Sequence, residues 1–176
     1  MAQITSTPDQ LYELVKSQHQ DIEALIITVA ATTGNARASA FTALRRFLAA
    51  HEAAEERFVH SYPGAAAARE GIGQEGRSGQ TIARLEKIGP GAAAFDDAFA
   101  ELVSSLRAHE LAEEAEELPA MARHSSPEDL GRAYSALKSV PGLASQQGGP
   151  IEAGADFAAM LDAATREFAL LSRQVG

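Results

Sequence analysis

The chain of 176 residues has no cysteine and no tryptophan, and aromatic residues make up only 6% of it. Without cysteine it can form neither disulfides nor thiolate metal sites, which fits a reducing cytoplasm. No apolar run approaches the roughly 20 residues that a membrane span needs, and the first residues lack the features of a signal peptide. The net charge of −9 argues against nucleic acid and anionic membranes as partners. We therefore expect a cytoplasmic protein that binds neither.

Alanine-rich sequence laced with charges fills most of the chain and favours helices. Apolar residues recur at intervals of three and four, which is the spacing of one helical face. The pattern predicts a first helix from Pro8 to the TTGN turn, and a second over about 36–60. A third runs from about Gln74 to Gly89-Pro90, and a fourth spans about 94–123.

The segment after residue 123 follows a different pattern. Ser126-Pro127 begins a short helix, residues 140–150 (VPGLASQQGGP) are typical of a loop, and a last helix covers about 152–173. Four long amphipathic helices with short connections predict an all-α fold, an up-down-up-down antiparallel four-helix bundle over 8–123. We expect residues 124–176 to form a C-terminal loop and helical extension packed on the bundle, within a single domain.

Each of the four long helices carries an ionisable residue at one level of its otherwise apolar face. These residues are His19, His51 with Glu55, Glu75, and His109 with Glu113. Two near-identical hexapeptides, HEAAEE at 51–56 and HELAEE at 109–114, supply the two His–Glu pairs. The spacing of four places the members of each pair on one face of their helix. Counting from the connecting turns brings all four levels together near the middle of the bundle.

Six such donor groups in a core indicate a metal site. Buried carboxylates without compensation cost several kcal/mol, so they are paired, protonated or bound to a metal. Histidine with carboxylate suits iron, manganese or zinc, and six groups exceed one tetrahedral zinc site. Bridging carboxylates suit two metal ions. The remaining glutamates of this region are assigned to solvated faces: Glu52, Glu56, Glu110, Glu114, Glu116 and Glu117.

These residues resemble the hemerythrin-like HHE cation-binding domains. The resemblance lies in His19, the two HxxxEE segments and the Leu118-Pro119 that follows the second, and it covers Leu11 to about Met121. It implies a four-helix bundle that holds a non-haem di-iron centre. By position in the motif it also implies the metal ligands, which are His19, His51, Glu55, His109 and Glu113.

One ligand of that family pattern is replaced here. The family normally offers a histidine on the third helix, and counting back from Pro90 leads to Glu75 instead. Gln74, Gln80 and Glu70 are the alternatives if the register differs. The glycines around Glu75, over 71–79, would make an entrance for a small substrate.

The segment RFVHSYP is a second departure, because its Tyr-Pro comes two residues later than usual and His60 stands where tyrosine is typical. On an ideal helix His60 points away from His51, which favours a structural or surface role. If the extra residues form a bulge, His60 or Tyr62 would turn inward as a ligand or hydrogen-bond partner. His124 lies too far along the helix axis from Glu113 to coordinate the same metal.

The resemblance implies two iron ions with an oxo or hydroxo bridge, and manganese or zinc are the alternatives. A carboxylate in place of an imidazole stabilises higher oxidation states of iron. We therefore expect an oxidase, oxygenase or peroxide-decomposing enzyme that takes O₂ or H₂O₂, with an external reductant and with any organic substrate left open. A carrier or sensor of O₂, NO or iron is the alternative. A mononuclear site and a metal-free bundle also stay open.

Overall fold

The computed structural model describes residues 6–60 and 68–174, with the side chains of 6–60 and 77–173. Within these ranges the chain forms helices and short connections, without a β-strand, so the predicted all-α class is confirmed there. The helices are α1 (Pro8–Ala31), α2 (Gly34–Phe58), α3 (Ala68–Ile88), α4 (Phe95–Ala112), a π-helical segment (Glu113–Glu117), α5 (Leu118–His124), α6 (Pro127–Ser145) and α7 (Phe157–Gln174). None of the helices in the described ranges is long and apolar enough to cross a membrane.

The ends of α1 are set by local chemistry. The Thr7 hydroxyl accepts a hydrogen bond from the backbone N–H of Gln10 at 3.2 Å, and the Gln10 side chain accepts one from Thr7 N–H at 3.0 Å. This reciprocal cap, with Pro8 at the first helical position, defines the start of the helix. After α1, Gly34 adopts a positive φ of 55°, which a residue without Cβ tolerates, and the chain turns directly into α2.

Helix α2 is the most enclosed element of the described structure. It packs against α1 on one side and against α6 and α7 on others, whereas α3 packs mainly against α4. Small side chains make this close approach possible, and the buried alanines of α2 are Ala40, Ala49, Ala50, Ala53 and Ala54. A helix that is apolar on most of its circumference is one that other helices surround. Much of the covering comes from the C-terminal helices.

Several predicted boundaries need correction. Helix α3 begins at Ala68, earlier than the expected 74, and α7 begins at Phe157, later than the expected 152. The predicted loop over 140–150 is wrong for its first half, because α6 continues through Pro141 to Ser145. Burial of Val140 and Ala144 against the core stabilises this last turn and offsets the hydrogen bond that proline cannot make. The predicted fourth helix is interrupted by the π-helical segment.

Candidate metal centre

Four buried side chains from three elements converge between α1, α2 and the π-helical segment. His19, His51, Glu55 and Glu113 each offer a donor atom within 4.8 Å of the others, and we call them the first group. His51 Nε2 lies 2.9 Å from Oε1 of Glu55, and His19 Nε2 lies 3.2 Å from Oε2 of Glu113. Both carboxylates are 0% exposed. From α4, His109 Nε2 approaches the other oxygen of Glu55 at 3.7 Å.

A second group adjoins the first and shares Glu113 with it. Its members are His60, Glu113 and Glu117, again with donor atoms within 4.8 Å of one another. His60 Nε2 lies 3.2 Å from Oε2 of Glu117 and 3.9 Å from Oε1 of Glu113. Glu113 thus directs one oxygen towards His19 and the other towards His60. A carboxylate in this position is suited to bridging two cations.

The end of α2 explains why His60 is inside. The backbone N–H groups of Val59 and His60 both donate to the carbonyl of Glu55, each at 2.8 Å. The second bond spans five residues instead of four, so the turn is wider than an α-helical turn. His60 is consequently only 4% exposed, and the surface assignment drawn from an ideal helix is wrong. The bulge that the two extra residues could form is the better interpretation. Tyr62 lies outside the described residues.

The π-helical segment explains why Glu117 is inside as well. The N–H of Leu118 donates to the carbonyl of Glu113, again five residues back. Pro119 lacks the N–H that a regular helix would direct to Ala115, so the α-helical hydrogen bonding cannot continue unbroken here. Glu117 is buried with 3% exposure, and its assignment to a solvated face is wrong. The proline after Leu118 was the signal that sequence reasoning missed.

The other glutamates assigned to solvated faces divide into three kinds. Glu56 and Glu116 are exposed, as predicted. Glu52 is buried, which contradicts the prediction and follows from the enclosure of α2. Glu110 and Glu114 are half-buried.

Two hydrogen bonds orient the histidines of the first group. His51 Nδ1 lies 2.9 Å from the side-chain oxygen of Gln18, which can only accept, so Nδ1 carries a proton and Nε2 faces Glu55. His19 Nδ1 lies 2.8 Å from Oε1 of Glu114, and this contact turns its Nε2 towards Glu113 in the same way. Sequence reasoning missed both partners, because neither interrupts an apolar pattern with a histidine or a paired motif.

The orientation of Gln18 is itself fixed by the C-terminal part of the chain. Its Nε2 donates to the backbone carbonyl of Leu137 in α6 at 2.6 Å. In an unbroken helix that carbonyl would accept from the residue four positions later, but this residue is Pro141 and has no N–H. The side chain from α1 therefore supplies the missing donor.

Burial and neighbouring charges shift the pKa values of the cluster in opposite directions. Burial alone would raise the pKa of Glu55, but the charges of His51 and His109 close to its oxygens hold it well below its usual range. Burial and the charge of Glu55 raise the pKa of Glu113. Burial opposes a charge on His19, yet its ion pair with Glu113 outweighs this and raises its pKa to about 10. Burial and the neighbouring carboxylate thus favour the neutral form of Glu113, whereas the neighbouring histidines favour the charged form of Glu55.

The donor atoms fit a bound cation. Both side-chain oxygens of Glu55 and of Glu113 are buried and accept no hydrogen bond from the described residues. Nε2 of His19 and Nε2 of His51 are also buried and form no hydrogen bond with the described residues. Leaving such atoms uncompensated is costly, whereas iron, manganese and zinc take imidazole nitrogen and carboxylate oxygen as ligands. Bound metal would satisfy these atoms.

Five of the six residues predicted from the sequence as ligands therefore lie together: His19, His51, Glu55, His109 and Glu113. The side chain of the sixth, Glu75, lies outside the described residues, as do those of Gln74 and Glu70. Gln80, the remaining alternative, is exposed. His124 is also exposed, consistent with its predicted distance from the site.

Comparison with known families agrees with this geometry. Residues 10–121 match the family model described as the hemerythrin HHE cation binding domain. That range is well over half of the chain and contains every histidine and glutamate of both groups. Neither the curated proteins nor the solved structures give a match. The chain belongs to the hemerythrin HHE cation-binding domain family.

Proposed function

We propose that this protein is a non-haem di-iron protein that reacts with O₂ or peroxide at the buried His/Glu cluster. The observation that carries the proposal is the convergence of buried, uncompensated donor atoms of Glu55 and Glu113 with the imidazoles of His19 and His51. Membership of a cation-binding family supports it independently. Residues 8–123 would form the up-down-up-down four-helix bundle, with 124–176 as an extension in the same domain.

In this proposal Glu55 and Glu113 would hold both iron ions between them, and His51, His109 and His19 would each hold one ion. The two oxygens of Glu55 lie near His51 and His109, which belong to different helices. The two oxygens of Glu113 lie near His19 and His60, which also come from different parts of the chain. Contact with two partners is what a bridging carboxylate requires. Glu75 keeps the role that the sequence suggested, as a further ligand of the second ion. Iron is proposed over manganese and zinc because carboxylates beside imidazoles support its higher oxidation states.

Bound iron would supply the electrons for reducing O₂ or peroxide, and an external donor would restore them. The protein contributes exclusion of water, since the donor residues of both groups are buried. Gln18 and Glu114 hold two of the imidazoles with the correct nitrogen facing inward. The fixed positions of these groups limit the reorganisation that a change of oxidation state demands.

Access for a small substrate is proposed beside Gly79, at the end of the glycine-rich segment. A cavity of about 590 Å³ opens there between α2, α3 and the start of α7, and Glu52 and Phe157 are among the residues that line it. Glu52 is the sequence neighbour of His51, so the cavity reaches the helix that carries two of the ligands. O₂ and H₂O₂ are small enough to use it, and an organic substrate of modest size would also fit.

The experiment is anaerobic loading with iron(II), followed by metal analysis and by optical spectra after addition of O₂ or H₂O₂. We expect about two iron ions per chain and continuous consumption of the oxidant when a reductant is supplied. Glu113→Gln is the control for iron bound elsewhere, and it should lose both the iron and the consumption.

Two results would count against the proposal in different ways. A metal content below one ion per chain would exclude the dinuclear site. An optical change that reverses when O₂ is removed, without net consumption, would replace the enzyme with a carrier or sensor of O₂, NO or iron.

A further inference from the structure

We propose that His60 and Glu117 form the second metal position of this site, with Glu113 shared between the two positions. This inference rests on the proposed function, because it assigns ligands within the same dinuclear centre. It gives the second ion a histidine from the end of α2 and a carboxylate from the π-helical segment, in addition to whatever the third helix provides.

The geometry of the second group carries the assignment. His60, Glu113 and Glu117 each offer a donor atom within 4.8 Å of the others, close enough for all three to hold one ion. His60 Nε2 lies 3.2 Å from Oε2 of Glu117 and 3.9 Å from Oε1 of Glu113. The rings of His60 and His109 are in edge contact, with centroids 6.2 Å apart. His109 also approaches Glu55, so it lies between the second group and the other bridging carboxylate. His109 is thus the side chain that contacts both His60 and Glu55.

The state of Glu117 is a second, independent observation. Its side chain is buried, and its Oε2 accepts no hydrogen bond from the described residues. It lies in the same buried group as Glu113, whose oxygens also accept no hydrogen bond from the described residues. Two buried carboxylates in one small group repel each other unless a positive charge lies between them. A cation held by both removes the cost.

The backbone deviates from α-helical geometry at both places that supply these ligands. The hydrogen bond from His60 to the carbonyl of Glu55 and the bond from Leu118 to the carbonyl of Glu113 each span five residues. The turn at Glu113 lies inside a helical stretch, where such turns are rare and are frequent at functional sites, whereas the turn at His60 ends α2. On regular helices His60 would point away from His51, and Pro119 would leave the helix without a donor. The two wide turns together place a histidine and a carboxylate on the same side of Glu113.

The test measures iron(II) bound per chain under anaerobic conditions in the wild type, His60→Gln and Glu117→Gln. Both replacements keep side-chain size, and circular dichroism checks that the helices are retained. We expect the iron content to fall from about two ions per chain to about one in each variant. If one of the two variants does not fold, the other decides the result.

The chain offers a matched control for each variant. Glu116→Gln changes the exposed neighbour of Glu117, and His124→Gln changes an exposed histidine. Both controls should keep the wild-type iron content. A loss of iron in these controls equal to that in the test variants would contradict a specific second position.

Failure of the ligand assignment can be told from failure of the proposed function. Unchanged iron content and affinity in both His60→Gln and Glu117→Gln, with the wild type still binding iron, overturns the assignment and leaves the function standing. A wild-type chain that binds no iron overturns both. A Glu113→Gln variant with less iron than either test variant would support the sharing of Glu113.

Discussion

The hexapeptides HEAAEE (51–56) and HELAEE (109–114) differ at one position but have different structures. Their fifth residues, Glu55 and Glu113, are both fully buried and both lie in the cluster. Their last residues differ, because Glu56 is exposed while Glu114 contacts His19. The first hexapeptide stays α-helical, and the second enters the π-helical segment at its fifth residue.

The surroundings account for the difference. Helix α2 is covered by α1, α6 and α7, so Ala53 in the first hexapeptide is 1% exposed, whereas its counterpart Leu111 is 71% exposed. The second hexapeptide is followed by Leu118-Pro119, where α-helical hydrogen bonding cannot continue. The shared sequence therefore buries the His–Glu pair of each hexapeptide. Packing against other helices and the proline at 119 account for the different exposure of the remaining hexapeptide residues.

The largest loss of iron binding should come from removing the carboxylate of Glu113, which the two groups share. Glu113→Ala removes a donor from both groups, so we expect iron binding to fall close to zero. Glu55→Ala leaves the second group intact and should retain part of the iron. Metal analysis after anaerobic loading compares the two, and equal losses would mean that Glu55 and Glu113 are equivalent.

The hexapeptides differ only at Ala53 and Leu111, and exchanging these two residue types should change stability at the first position but not at the second. Ala53→Leu forces a larger side chain into the enclosed face of α2 and should lower the free energy of unfolding by about 1–3 kcal/mol. Leu111→Ala changes an exposed residue and should stay within about 0.5 kcal/mol of wild type. Urea denaturation measures both, and a neutral Ala53→Leu would show that α2 is less tightly enclosed than described.

Removing the partner of His51 should weaken metal binding without removing a ligand. Gln18→Leu leaves the Nδ1 proton of His51 without its acceptor, and losses of such partners reduce metal affinity by about 10–100-fold. Gln20→Leu, on the exposed side of the same helix, is the control and should bind as the wild type does. Competition titration with a chelator gives the affinities. An unchanged Gln18→Leu would mean that Gln18 does not hold the imidazole.

The smallest expected change in metal affinity is the one that distinguishes Glu114 from Glu56, the last glutamates of the two hexapeptides. Glu114→Gln weakens the charge-assisted hydrogen bond to His19, and we expect a loss of metal affinity of up to about tenfold because Glu114 is partly solvated. Glu56→Gln should cause no change, since that carboxylate is exposed. The same chelator titration applies, and equal values for the two variants would remove Glu114 from the support of His19.

The sequence predicted those parts of the fold and site that depend on local pattern. The helical class, the two His–Glu pairs and His19 all follow from spacings of three and four on helices. The helical spacing alone does not place His60 and Glu117, because their inward positions depend on hydrogen bonds that span five residues; for His60 the sequence offered this only as the alternative of a bulge. Gln18 and Glu52 depend on what packs against α1 and α2, and no pattern within those helices encodes the position of α6 or α7.

Pro141 affects the site although it lies outside it. It lies in α6, beyond residues 10–121 that match the family, and contributes no atom to the cluster. By leaving the carbonyl of Leu137 without a helical donor, it creates an acceptor for Gln18 and thus a direct link to the ring of His51. The position of α6 therefore bears on His51: a displacement of α6 from α1 would take Leu137 away from Gln18 and leave the imidazole of His51 free to rotate, although no residue of the two groups lies in α6.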